Sequence, residues 1–121
     1  MKNLKTLDKY RDRDFERQYY GTNGDAGNGV FRVPVGGRMF NVVASNGCGW
    51  EHVSVSPANR KRTTAPTWEE MCEIKRMFFL EDETVVEYHP AKADYVNLHP
   101  LCLHLWRPTV MHMPKPPKIF V

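Results

Sequence analysis

From Val30 onward apolar residues fall on every second position, and this alternation restricts the fold more than any other feature of the chain. Successive side chains of an extended backbone point to opposite faces, so a period of two means strands with one buried face. Val30–Val35 and Arg38–Ala44 are two such runs, rich in β-branched and aromatic residues, and they flank Gly36-Gly37. Two glycines between alternating runs predict a β-hairpin, because the favoured two-residue turns need positive φ. Ser45-Asn46-Gly47-Cys48-Gly49 reads as a second turn and Trp50–Ser56 as a third strand. Together they make an antiparallel meander.

The period then changes. Thr67 can cap the helix that begins at Pro66-Thr67-Trp68-Glu69-Glu70, and Glu70 three residues on completes a capping box. Met71, Ile74, Met77 and Phe78 recur at the spacing of one buried stripe, which predicts a helix running to Leu80 on one face of the sheet. Thr84–His89 and Leu101–Trp106 read as fourth and fifth strands, with one short helical turn over Ala91–Asn97 between them. Ahead of the meander, Leu4, Leu7, Tyr10, Phe15, Tyr19 and Tyr20 are spaced as an amphipathic helical segment docking by one edge. The expected fold is therefore α+β: a five-stranded, mainly antiparallel sheet with one main helix on one face. The expected layout is an N-terminal helical segment over 1–20, a single domain over 21–108, and a Pro/Lys-rich extended tail over 109–121.

Composition excludes several classes of function. Among 121 residues, Lys plus Arg number 17 and Asp plus Glu 14, giving a net charge of +3, too modest for a dedicated nucleic-acid binder. That average conceals an acidic stretch: residues 69–94 hold eight acids and three bases, while 95–121 hold three bases and no acid. Arg60-Lys61-Arg62 is the one compact basic cluster and reads as a solvated loop. No apolar run reaches the ~20 residues of a membrane span, and the N-terminus lacks the apolar stretch of a signal peptide. Secretion and membrane insertion are not expected. Cys48, Cys72 and Cys102 are far apart, which excludes a disulfide framework and a zinc ribbon and leaves free thiols. His99, Cys102 and His104, with His89, supply atoms zinc would accept, but a site needs a tetrahedral set. No metal and no cofactor are assigned.

Alternation also says where polar chemistry gathers. Trp50, His52, Ser54 and Ser56 share one face of the third strand; Cys102, His104 and Trp106 share one face of the fifth. In the fourth, Val86 and Tyr88 alternate against Val85, Glu87 and His89. If the apolar faces all rest on the helix, His52, His89 and His104 point to one side with Ser54, Glu87, Trp50 and Trp106. Histidine titrates near neutrality and serves as acid, base or ligand. Tryptophan offers a stacking surface for a base. Arg32, Arg38 or Arg107 would bind phosphate bidentately. The expected catalytic set is His52 and His104 as acid and base with Ser54 orienting phosphate. Trp50, Trp106, His89, Glu87, Arg107 and Arg38 are the expected ligand contacts.

Two resemblances bear on this set. His52-Val53-Ser54-Val55 is similar to the His-apolar-Ser/Thr-apolar motif of two-histidine phosphoesterases, while the second candidate, His104-Leu105-Trp106, carries Trp106 in place of the hydroxyl. More extensively, Asn28-Gly29-Val30-Phe31, Gly49-Trp50-Glu51-His52-Val53-Ser54-Val55-Ser56, Pro66-Thr67-Trp68-Glu69-Glu70-Met71, Tyr95-Val96-Asn97-Leu98-His99-Pro100 and Leu103-His104-Leu105-Trp106-Arg107-Pro108 resemble a family of small phage and prophage proteins of unknown function. That resemblance implies a phage accessory gene and action in a bacterial host cytosol. The expectation is binding, with or without hydrolysis, of a small phosphorylated, nucleotide-like ligand such as a host immune signal. A non-enzymatic inhibitor or adaptor acting on a host or phage protein is the alternative, and single-stranded nucleic-acid binding the third. Self-association is compatible with each.

Overall fold

The computed structural model describes residues 1–20, 27–59, 61–88 and 101–111. Its strands are β1 (Gly29–Val35), β2 (Arg38–Gly47), β3 (Trp50–Pro57), β4 (Val86–Tyr88) and β5 (Leu103–Pro108), in the sheet order β1-β2-β3-β5-β4. Every pairing is antiparallel. A 3-10 helix (Leu4–Tyr10) and α1 (Arg13–Tyr20) precede the sheet, and α2 (Trp68–Phe78) lies between β3 and β4. The architecture is α+β. No helix among the described residues is long and apolar enough to cross a membrane.

Gly36 and Gly37 close the first hairpin with φ of 56° and 85°, the two positive values a type I′ turn requires. The second hairpin is tighter than its residues suggest. Ser45 pairs with His52, Asn46 with Glu51 and Gly47 with Trp50, so only Cys48-Gly49 turns. Asn28 Oδ1 accepts the Asn46 N–H at 3.0 Å, which extends β2 through residues whose types favour a turn.

One face of the sheet is apolar: Phe31, Val33, Val35, Phe40, Val42, Ala44, Val53, Val55, Leu103 and Leu105 are buried there. Met71, Ile74 and Phe78 of α2 and Leu4 and Leu7 of the 3-10 helix cover it. The Phe31 and Phe78 rings meet edge to face at 5.2 Å. The capping box of α2 is complete, with Thr67 accepting the Glu70 N–H at 3.2 Å and Glu70 accepting the Thr67 N–H at 2.9 Å. The helix ends at Phe78, two residues before Leu80, because Phe79 is extended and buries its own ring in the core.

Within the N-terminal segment, the 3-10 helix docks by its apolar edge, Leu4 and Leu7, whereas α1 docks through a carboxylate. Glu16 is the buried residue of α1, while Phe15 is exposed. Glu16 Oε2 accepts the Val30 N–H at 3.2 Å, and the Asp12 N–H donates to the Val30 carbonyl at 2.9 Å. An edge strand offers backbone donors and acceptors, so what it needs from a neighbour is hydrogen bonds. Four residues on, Pro34 has no N–H to offer at all. Arg11 Nε at 3.5 Å and Arg13 Nη1 at 3.2 Å offset the Glu16 charge.

Removing Glu16 would leave the nearly buried Arg11 guanidinium with the half-exposed Asp8 carboxylate, 3.6 Å away, as its counter-charge. Glu16→Ala is expected to cost about 3–5 kcal/mol in urea unfolding. Asp14→Ala, at an exposed carboxylate of the same helix, is expected to stay within about 0.5 kcal/mol of the parent.

Candidate functional site

The second face of the sheet is organised in cross-strand rows, because residues directly opposite in an antiparallel pair share a face. One row runs Arg32, Asn41, Ser56. The next runs Val30, Val43, Ser54, His104, Tyr88. A third runs Ser45, His52, Trp106, Val86, and Trp50 stands beyond it opposite Pro108. His52 and His104 are diagonal neighbours between adjacent rows.

That diagonal closes into a hydrogen bond. His52 Nε2 and His104 Nδ1 are 2.6 Å apart, with ring centroids 4.8 Å apart and near-parallel planes. His52 is 5% exposed and His104 fully buried. Ser45 Oγ lies 3.4 Å from His52 Nδ1, and the Tyr88 ring stacks on His104 at 5.1 Å. A short bond between two imidazoles holds one N–H, so the tautomers of the rings are coupled. When His52 Nε2 donates, His52 Nδ1 accepts from Ser45. When His104 Nδ1 donates, His52 Nδ1 carries the proton and Ser45 accepts it. The proton inventory of three side chains therefore shifts as one unit.

Burial comes first among the causes that hold His52 well below the usual imidazole range, followed by the charge of His104. His52 is neutral at pH 7. Burial likewise raises the Tyr88 hydroxyl and pushes the Cys102 thiol up to about 11. Cys102 is thus a protonated thiol at neutral pH. No group of three or more His, Cys, Asp or Glu side chains among the described residues is arranged to hold a metal ion.

Trp50 is the half-exposed member of the face. Its indole meets the His52 ring edge-on at 6.4 Å and lies over Gly47, where a Cβ would come within 2.3 Å of the ring. Trp106 is fully buried, and its Nε1–H has no acceptor among the described residues. A buried indole N–H without a partner forfeits about 1–3 kcal/mol.

The structure therefore brings together His52, His104, Ser54, Trp50 and Trp106 on one face, and it removes three other expected contacts. Glu87 pairs with Leu105, on the α2 side, and lines a groove with Trp68, Met71 and Val85. The phase of β4 is opposite to the expected one: Val86 and Tyr88 face the histidines. Three short residues carry too little contrast to set that phase, and pairing with β5 sets it. Arg38 lies with Phe40 on the core side, its guanidinium 4.9 Å from that ring, and ion-pairs with Glu70 at 2.6 Å. Arg107 lies with Leu105 on that side too, 3.6 Å from Glu51 and 3.7 Å from Glu83. Alternation applied to these arginines already places them there, two residues from Phe40 and Leu105. Arg32 alone of the three candidate arginines reaches the histidine face. Ser45 and Tyr88 are site residues the sequence concealed, one inside an apparent turn and one in a short strand of ambiguous phase. His89 and His99 lie outside the described residues.

The match that bears on identity spans this geometry. The model of a family described as a domain of unknown function, DUF7694, matches residues 42–110, more than half of the chain. The chain belongs to that family. No curated protein and no solved structure matches it. The family region starts in β2 and takes in β3, α2, β4 and β5, so it contains every residue of the histidine cluster.

Because the folded pKa of His52 is depressed, the unfolded chain binds more protons below its ordinary value of about 6.5. Stability from this group is present above that pH and is lost as pH falls towards the folded pKa. The unfolding free energy from urea titration is expected to be steady from about pH 8 to about pH 7 and to drop by up to about 1.4 kcal/mol per pH unit below about 6.5. His52→Gln should flatten that slope. Glu70, held at about 2 by its hydrogen bond to Arg38, loses its contribution only below about pH 4.5 and does not enter this window.

Proposed function

We propose that this chain is a phage accessory protein that binds a small phosphorylated, nucleotide-like ligand, such as a host immune signal, against the histidine face, and holds it without cleaving it. The observation that carries the reading is the half-exposed Trp50 indole, which stands edge-on to the His52 ring and offers a stacking surface at the rim of that face. Ser54, half-buried on the same face of β3, offers a hydroxyl to the ligand. Among the described residues Arg32 is the cation of that face. Phage origin rests on the motif resemblance from Asn28 to Pro108.

Binding is favoured over hydrolysis by the histidines themselves. An acid–base pair must reach the substrate from two sides with one partner protonated. Here His52 Nε2 and His104 Nδ1 are spent on each other, and His52 is neutral.

The adaptor reading draws support from the opposite side of the molecule. Trp68, at the start of α2, is 67% exposed and lines a groove with Met71, Lys75, Val85 and Glu87, an aromatic anchor at the edge of an apolar groove.

Calorimetry against a panel of cyclic dinucleotides and ADP-ribose-type signals tests the ligand reading. At least one is expected to bind and to be recovered intact by chromatography. Trp50→Ala, which removes the stacking surface, should weaken it at least about 5-fold. Absence of heat across the panel would overturn the ligand reading, and a cleaved product would overturn binding without turnover.

A further inference from the structure

The basic loop after β3 is held in one shape by a half-buried residue of β2, Arg38. Arg38 has five N–H donors, and all five are used. Nε donates to Glu70 Oε2 at 2.9 Å and Nη2 to Glu70 Oε1 at 2.6 Å. Nη1 donates to Thr63 Oγ1 at 2.9 Å and to the Thr64 carbonyl at 3.1 Å, and Nη2 to the Ala65 carbonyl at 3.3 Å. The guanidinium thus ties residues 63–65 to the first turn of α2 and has no donor left for a ligand. Its charge is met by Glu70.

The cations above it are not met in this way. Among the described residues, Lys61 and Arg62 have no carboxylate within ion-pair distance, although Glu69, Glu70 and Glu73 belong to the neighbouring helix. The Lys61 N–H is turned onto Asn59 Oδ1 at 3.1 Å, and Arg62 has a φ of 48°, the one positive value among described residues other than glycine. Left-handed backbone at an arginine persists where the surrounding structure over-determines it. Together with Gly37, Arg38, Asn59 and Thr63, these side chains line a cavity of about 250 Å³ that is open to solvent. Sites for whole drug-sized ligands begin at about 300 Å³, so this one suits a smaller group.

The geometry points to a phosphate-binding site in this cavity, taking one or two phosphate groups. Lys61 supplies a point charge, Arg62 a planar fork, and the Thr63 and Asn59 side chains flank them. This site stands independently of the histidine face, whose cation is Arg32. The phosphates could be free or the end of a larger molecule, and two arms of the experiment separate these sources.

Sodium pyrophosphate is the first probe, titrated into the ¹⁵N-labelled full chain with sodium chloride at matched ionic strength as the reference. Saturable amide shifts confined to Asn59, Lys61, Arg62 and Thr63 are expected. Lys61→Gln/Arg62→Gln should weaken binding at least about tenfold, and Arg62→Gly should weaken it too although it relaxes the backbone. Arg32→Gln should leave it unchanged, which separates this site from the histidine face. A 5′-phosphorylated oligonucleotide shifting the same amides more tightly than pyrophosphate assigns the phosphate to a larger ligand; a weaker response assigns it to free phosphate. Shifts that do not saturate by about 10 mM, or a double variant that titrates like the parent, overturn the proposal.

Discussion

The pairing of β3 with β5 is the constraint on which the rest depends. It joins residues about fifty positions apart in the chain and sets both faces of the sheet at once. On one face it places Val53 and Val55 against Leu103 and Leu105, under α2 and the 3-10 helix. On the other it aligns Ser54 with His104 and His52 with Trp106. A slip of one residue in this register would exchange the faces, burying imidazoles in the aliphatic core and exposing leucines. The apolar face and the histidine pair are consequently specified together, and neither can be altered without stressing the other.

Much of this was legible from alternation, because period two is a local property. Trp50, His52 and Ser54 had to share a face, as did Cys102, His104 and Trp106, once the strands were recognised. The hairpin at Gly36-Gly37 and the capping box at Thr67 and Glu70 are equally local and fall where their residue types put them. What alternation cannot supply is phase between distant strands. Glu87 and Tyr88 exchanged places because β4 is three residues long and takes its orientation from β5. Ser45 was hidden by the Asn-Gly that follows it, a pair that normally turns but is here drawn into β2 by Asn28.

The arginines show a different failure. Charge suggested Arg38 and Arg107 as anion ligands, yet each is consumed by carboxylates of its own chain, Glu70 in one case and Glu51 with Glu83 in the other. A cation near a strand end is as available to the fold as to a ligand, and sequence type does not distinguish them. Lys61 and Arg62 reverse the case: a cluster that reads as solvated loop is shaped by the very arginine that was expected to bind phosphate.

The carboxylate of Glu16 on the edge of β1 has one more consequence. Chains that assemble by adding strand to strand can lengthen without limit only if both borders of the sheet accept a neighbour. Here one border is closed to that growth, by Glu16 and Asp12 at Val30 and by the missing N–H of Pro34 further along. Any association through the β4 border therefore stops at two copies, and linear polymers of this fold have no second end from which to propagate.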